Sequence, residues 1–230
     1  MPRETLDRKI RHLLDEMLVL DSLVENATLE SVDALKRRDL ELAKRVYKQD
    51  QVINAKRFEL ENECLTTIAT QQPIMARDLR LLASILEIVG ELERMGDYAK
   101  GIGRICLMLG DQPPVKPLID IPRMADITVN MLHRAVGAFV ALDVELAKNI
   151  PVEDDEVDAL YNQVYRELVT IILANPATID KANYLMWAAH NLERMADRVT
   201  NICERTIYAA TGVMKEIDTT DDEEINSNSR

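Results

Sequence analysis

Aromatic residues make up only 4% of this 230-residue chain, and it holds just seven Gly, eight Pro and three Cys. So few aromatics and turn formers leave little material for β-strands and hairpins. The 47% of hydrophobic residues is mostly Leu, Ile, Val, Met and Ala, which suits packed helices and is ample for a sizeable core. Cys64, Cys106 and Cys203 are odd in number, far apart and without a Cys-x-x-Cys spacing. They indicate neither a disulfide framework nor a zinc knuckle, and fit a reducing compartment. No apolar run approaches the roughly 18 residues of a membrane span. The polar start, Met1-Pro2-Arg3-Glu4-Thr5, lacks the apolar core of a signal peptide. A cytoplasmic protein without direct membrane insertion is expected. Basic excess is absent too: 40 acidic against 28 basic residues give a net charge of -12. That argues against nucleic acid as a partner and suits either solubility or cation binding. No Gly-rich phosphate loop, Ser/His/Asp arrangement or basic cluster for free phosphate occurs, and no catalytic residue is assigned.

What the chain has is duplication. Leu92-Glu93-Arg94-Met95-Gly96-Asp97 returns one hundred residues later as Leu192-Glu193-Arg194-Met195-Ala196-Asp197. Asp39-Leu40-Glu41-Leu42-Ala43-Lys44 returns as Asp143-Val144-Glu145-Leu146-Ala147-Lys148, 104 residues on. The four-residue mismatch predicts one lost helical turn between the motifs. Helix-period apolar residues begin at Leu6, Ile10, Leu13 and Leu14 and run to a break at Arg37-Arg38-Asp39. Further helices are predicted from about Leu40 to Thr70 and from Ile74 to Leu109, with Pro73 at a helix start. Gly110-Asp111-Gln112-Pro113-Pro114 reads as a stiff linker. The second copy is predicted as helices from about Arg123 to Leu142, Asp154 to Leu173, and from the Asn175-Pro176 turn to Ala210. The fold class is therefore all-α: two tandem three-helix bundles, residues 1–109 and 119–212, related by internal duplication. Residues 213–230 read as an acidic disordered tail.

Each repeated phrase sets a Glu four residues before an Asp, hence on one helix face. In the third helix Glu93 and Asp97 continue the apolar face of Leu82, Leu86 and Val89, and Lys100 and Arg104 join it. A solvated charge ladder is the ordinary reading of such a pair. Against it, Gly90, Gly96, Gly101 and Gly103 crowd this helix. Each costs about 1 kcal/mol relative to Ala, which suggests close approach of another group. In the last helix His190, Glu193, Asp197, Thr200 and Glu204 share one arc that holds no Lys or Arg. Asp154 and Asp158 form another i, i+4 pair, with Asp50 and Asn54 as the first-half counterpart. The run Glu153-Asp154-Asp155-Glu156 also reads simply as a helix start favoured by the macrodipole. Facing helices carrying such pairs can hold hard metal ions between them. His190 reads as a hydrogen-bond partner sooner than a ligand, and His12 and His133 as structural or exposed. Met95, Met124, Met131, Met186 and Met195 read as core filler.

The doubled Leu-Glu-Arg-Met-x-Asp phrase, its Asp-x-x-x-Asp/Asn counterparts and the Gln72-Pro73…Asp78-Leu79-Arg80 stretch resemble the PhoU family. The resemblance runs to about Gly212. It implies two tandem three-helix bundles whose acidic motifs bind multinuclear metal clusters, including iron. It also implies a negative regulator linking the membrane phosphate transporter to a sensor kinase. Carried over, it gives metal-binding roles to Asp154, Asp158, Glu193 and Asp197, and to Asp50, Glu93 and Asp97. The ions expected are Fe, Mn, Mg or Ca. Asn54 lacks the charge of the motif, and Lys100 and Arg104 compete for the first-half acids, so the second half is expected to bind more tightly. A homodimer is left open as an assembly. A metal-free helical adaptor and a carboxylate-bridged di-metal oxidoreductase are the alternative classes; the second is disfavoured because His190-x-x-Glu193 reverses the usual Glu-x-x-His order.

Overall fold

The computed structural model describes residues 2–217, which contain helices and connections and no strand. In the first half α1 spans Pro2–Arg37, α2 Leu40–Thr70 and α3 Ala76–Leu109. In the second, α4 spans Asp120–Ala141, α5 Val144–Asn149, α6 Asp154–Ala174 and α7 Ile179–Thr211. The two halves enter their second helix by the same device. Arg38 (φ 59°) and Leu142 (φ 53°) turn the chain through the left-handed region. Asp39 then accepts from the backbone N–H groups of Glu41 and Leu42, and Asp143 from that of Leu146. Each Asp satisfies donors that a helix start leaves open.

The halves differ between Leu142 and Asp154. The counterpart of α2 is broken into α5, a 3₁₀ turn over Ile150–Glu153, and α6. Pro151 is the cause: it has no N–H to donate and its ring clashes with the carbonyl one turn back. Asp154, equivalent to mid-helix Asp50, thereby becomes the first residue of a helix. Two predicted starts also move. The third helix begins at Ala76, leaving Pro73 in the connection after a cis Gln72–Pro73 bond. The fourth begins at Asp120 rather than Arg123, because Pro122 is tolerated within a first turn. The four-residue mismatch resolves near the start of α7. Five residues connect α2 to α3 and four connect α6 to α7. Glu93 is residue 18 of α3, whereas Glu193 is residue 15 of α7.

α3 and α7 are the central helices, and they pack antiparallel. Arg205 Nε meets Glu87 Oε2 at 2.8 Å, Asn201 donates to Glu91 at 3.4 Å, and Arg194 donates to the Tyr98 hydroxyl at 3.0 Å. The contacts are reciprocal under the hundred-residue offset. Asn201 reaches Glu91, and Asn191 lies so close to Gly101 that an added Cβ would stand 2.8 Å from its amide nitrogen. This is the internal equivalent of a two-fold interface. One continuous apolar core runs through both halves, from Leu13, Met17 and Leu20 to Leu185, Leu192 and Val199. Met95, Met124, Met131 and Met195 are fully buried in it, as are Cys64, Cys106 and Cys203. Burial pushes the three thiols up, to about 12, 11 and 12 respectively, so they stay protonated and unreactive.

The glycine expectation holds at three of its four positions. Gly96 and Gly101 face a tight neighbour and Gly103 approaches the Ala43 carbonyl, while nothing stands within 4 Å of a Cβ at Gly90. At Gly96 a Cβ would lie 3.0 Å from Ile53 Cγ2. The second half has Ala196 and Val157 at these positions, both buried, so a methyl group has moved from one side of the pair to the other. Gly96→Ala should overpack the seam by about 1–3 kcal/mol, and adding Ile53→Val should relieve it. Chemical denaturation of the two single variants and the double should give a favourable coupling of about 1 kcal/mol or more. Additivity within about 0.5 kcal/mol would contradict the account.

Candidate metal centre

Second helix and third helix face each other in both halves, and the i, i+4 motifs lie along that seam: Asp50/Asn54 with Glu93/Asp97 in the first half, Asp154/Asp158 with Glu193/Asp197 in the second. In the first half the chain supplies its own cations. Lys100 Nζ donates to Asp50 Oδ2 at 2.7 Å and lies 3.4 Å from Asp97 Oδ1. Asn54 donates to the same Asp50 oxygen at 3.0 Å, and Arg57 Nη1 lies 3.0 Å from Glu93 Oε1. The hydrogen bond to Asp50 holds the Lys100 ammonium above its ordinary pKa, so it stays charged. Asp50 is buried, and its second oxygen has no hydrogen-bond partner. The competitor expected from the sequence, Lys100, is in place. Arg104 is not: it lines a groove on another surface with Gly101, Met108, Trp187 and Asn191. Arg57 takes that role, and a face analysis of the third helix could not find it because it comes from α2.

The second half keeps the acids and replaces the cations. Under the same offsets Thr200 stands where Lys100 stands, and Tyr161 where Arg57 stands. Asp154, Asp158, Glu193 and Asp197 come close enough for the other three to act on the Asp154 charge. Asp154, Asp158 and Asp197 line a cleft of about 330 Å³ with Thr200, Asn201 and Glu204. Asp154 is 6% exposed, and its Oδ1 is buried without a hydrogen-bond partner. Burial first, then Asp158, Asp197, Glu193 and Asp155, push its carboxyl up to about 8. Burial and Asp197 also raise Glu193, against the opposing pull of His190, whose Nδ1 stands 3.0 Å from Glu193 Oε2. Thr200 Oγ1 is likewise buried and unpartnered.

The arc without a cation has one at its edge. Arg198 lines the cleft, while its Nη1 lies 3.5 Å from Glu91 of α3. Arg194 is held over Tyr98, 5.7 Å from the ring centroid. In the Glu153-Asp154-Asp155-Glu156 run the outer two acids look elsewhere, with Glu153 on Arg134 and Glu156 on Arg123, while Asp155 lines the cleft. The macrodipole at the start of α6 therefore leaves Asp154 with a carboxylate oxygen that no protein donor satisfies. Such an oxygen in an acidic cleft fits a bound cation. The tail read as disordered from residue 213 begins with a docked stretch: the Ile217 N–H donates to Glu204 Oε1 at 2.9 Å, and Glu216 and Ile217 line the cleft. The rest of that tail lies outside the described residues.

A duplicated three-helix bundle that repeats a Glu-x-x-x-Asp pair on its third helix and an Asp-x-x-x-Asn/Asp motif on its second defines the class of protein. The family model of the PhoU domain matches residues 18–106 and again 121–206. The chain belongs to the PhoU family. It is 36% identical over 207 residues to the phosphate-specific transport system accessory protein PhoU homolog of Aquifex aeolicus, covering 90% of this chain and 93% of that one. Against the Deinococcus radiodurans homolog it is 37% identical over 210 residues, covering 91% and 98%. Crystal structures agree. PhoU from Pseudomonas aeruginosa superposes with a TM-score of 0.85 at 31% identity, covering 90% of this chain and 99% of that one. The phosphate transport system regulatory protein PhoU from Streptococcus pneumoniae gives 0.84 at 27%, covering 91% and 99%.

The raised Asp154 carboxyl has a consequence for the metal-free protein. Between about pH 4 and pH 8 the folded state binds a proton at this site that the unfolded state has released, so stability falls as pH rises through that window. In chelator, Asp154→Asn should melt with a shallower pH dependence than the wild type. At pH 8 it should be the more stable by at least about 1.4 kcal/mol, the worth of one pKa unit. Parallel melting curves across this range would contradict the assignment.

Proposed function

We propose that this chain is a metal-binding regulator of phosphate uptake and phosphate-starvation signalling. It works in the cytoplasm by protein contact with the phosphate transporter and its sensor kinase. The regulatory role is carried over from relatives described as accessory proteins of the phosphate-specific transport system. No helix among the described residues is long and apolar enough to cross a membrane, and the proposed route to the transporter is contact with its protein surface.

The metal is assigned to Asp154, Asp158, Glu193 and Asp197, with Glu204 at the rim. The observation that carries this is the unpartnered Asp154 oxygen in a cleft bordered by further carboxyls. Donors of oxygen alone suit Fe, Mn, Mg or Ca. A bound ion would supply the positive charge that Lys100 and Arg57 supply in the first half. Asp154 would release its proton on binding, so affinity should rise with pH up to about 8. Asp50, Glu93 and Asp97 already hold cations of the chain, which makes the first half the weaker metal site.

Calorimetric titration with Mn(II) tests the assignment. Glu193→Gln/Asp197→Asn should lose the tighter binding event, and Glu93→Gln/Asp97→Asn should keep it. Loss in the first-half variant instead, or in neither, would refute the asymmetry. In cells, deleting the gene should derepress phosphate-starvation genes in phosphate-rich medium, and the wild-type gene should restore repression. Expression unchanged by deletion at every phosphate level would refute the regulatory reading.

A further inference from the structure

A second cluster of metal-ligating side chains lies outside the repeated motifs, where the two halves meet. Asp21 and Glu25 are one turn apart on α1, and His133 projects from α4, which packs against α1. One oxygen from each carboxylate and one ring nitrogen of His133 lie within 4.8 Å of one another. His133 Nδ1 is 3.1 Å from Glu25 Oε1. Asp21 is 3% exposed, and its Oδ1 is buried without a hydrogen-bond partner. A carboxyl taken this far from water with an unsatisfied oxygen is costly unless something else engages it. His133 is largely exposed, and so gives solvent access to the cluster.

We propose that Asp21, Glu25 and His133 form a binding site for a single divalent transition-metal ion that ties the first repeat to the second. The donor set differs from that of the acidic cleft. Two carboxylate oxygens and an imidazole nitrogen suit Zn(II), Co(II), Mn(II) or Fe(II) better than Mg or Ca, which prefer oxygen alone. Three protein ligands leave further coordination positions to water. Because the ligands come from both halves, binding stabilises the packing of α1 on α4 and raises the stability of the whole chain. The duplication does not provide this site twice. At the offset of 104 residues, Ala125 and Val129 stand in α4 where Asp21 and Glu25 stand in α1.

Co(II) is the probe, because the position and intensity of its visible d–d bands change with coordination number and ligand set. The full-length chain is titrated in the Glu193→Gln/Asp197→Asn background, which disables the proposed acidic-cleft site and keeps the two proposals separable. One equivalent of Co(II) should bind, with a d–d absorption band and a rise in melting temperature. Adding His133→Gln, an exposed position that the fold tolerates, should weaken binding about tenfold or more and remove both signals. Asp21→Asn should do the same, and Leu29→Gln, an exposed substitution on the same helix as the two acids, should not. A titration, spectrum and melting shift unchanged by His133→Gln would overturn the proposal. So would the absence of Co(II) binding in the background protein.

Discussion

A carboxylate set into the seam between two packed helices must meet a positive charge or keep its proton. Much else in this molecule follows from that constraint. The duplicated bundle creates two such seams, between α2 and α3 and between α6 and α7, and populates both with i, i+4 acids. In the first, Lys100 on Asp50 and Arg57 on Glu93 answer the charge from within the chain. In the second, Thr200 and Tyr161 occupy those positions, and Asp154 holds its proton to about pH 8. The same architecture therefore answers the acid of the second helix in two ways, with an ammonium on Asp50 and with a retained proton on Asp154.

Duplication followed by divergence accounts for the remaining asymmetries. Pro151 breaks the second copy of the long α2 and brings Asp154 to a helix start. A methyl group moves from Ile53 to the residue facing it, giving Val157 with Ala196 in the second copy. None of these changes disturbs the antiparallel crossing of α3 and α7, whose reciprocal contacts bind the halves into one core. The central crossing is kept while the outer seams are free to change chemistry.

The parts legible in the sequence were those carried by helix period and by repetition. Leu92–Asp97 and Leu192–Asp197 placed two central helices and their acids, since i and i+4 residues share a face in any helix. The Asp39 and Asp143 caps marked the matching helix starts. Partners arriving from another helix were not legible: Arg57 is 36 residues from Glu93, and His133 is 108 from Glu25. Arg104 shares the acid arc on a helical wheel yet faces another groove, because seven residues beyond Asp97 the neighbours of α3 have changed. The short α5 was hidden because it is only six residues long and ends at a proline, too brief for a period to register.

On the proposed metal assignment, Thr200, which places no ammonium where Lys100 stands in the first half, leaves Asp154 available to a metal ion. Thr200→Lys tests this directly, since it places in the second seam the cation that Lys100 provides in the first. Titrated with Mn(II) at pH 7.5, this variant should fold, lose the tight binding event of the wild type, and melt in chelator at a higher temperature than the metal-free wild type. Mn(II) binding retained at wild-type affinity in a folded Thr200→Lys protein would contradict the account.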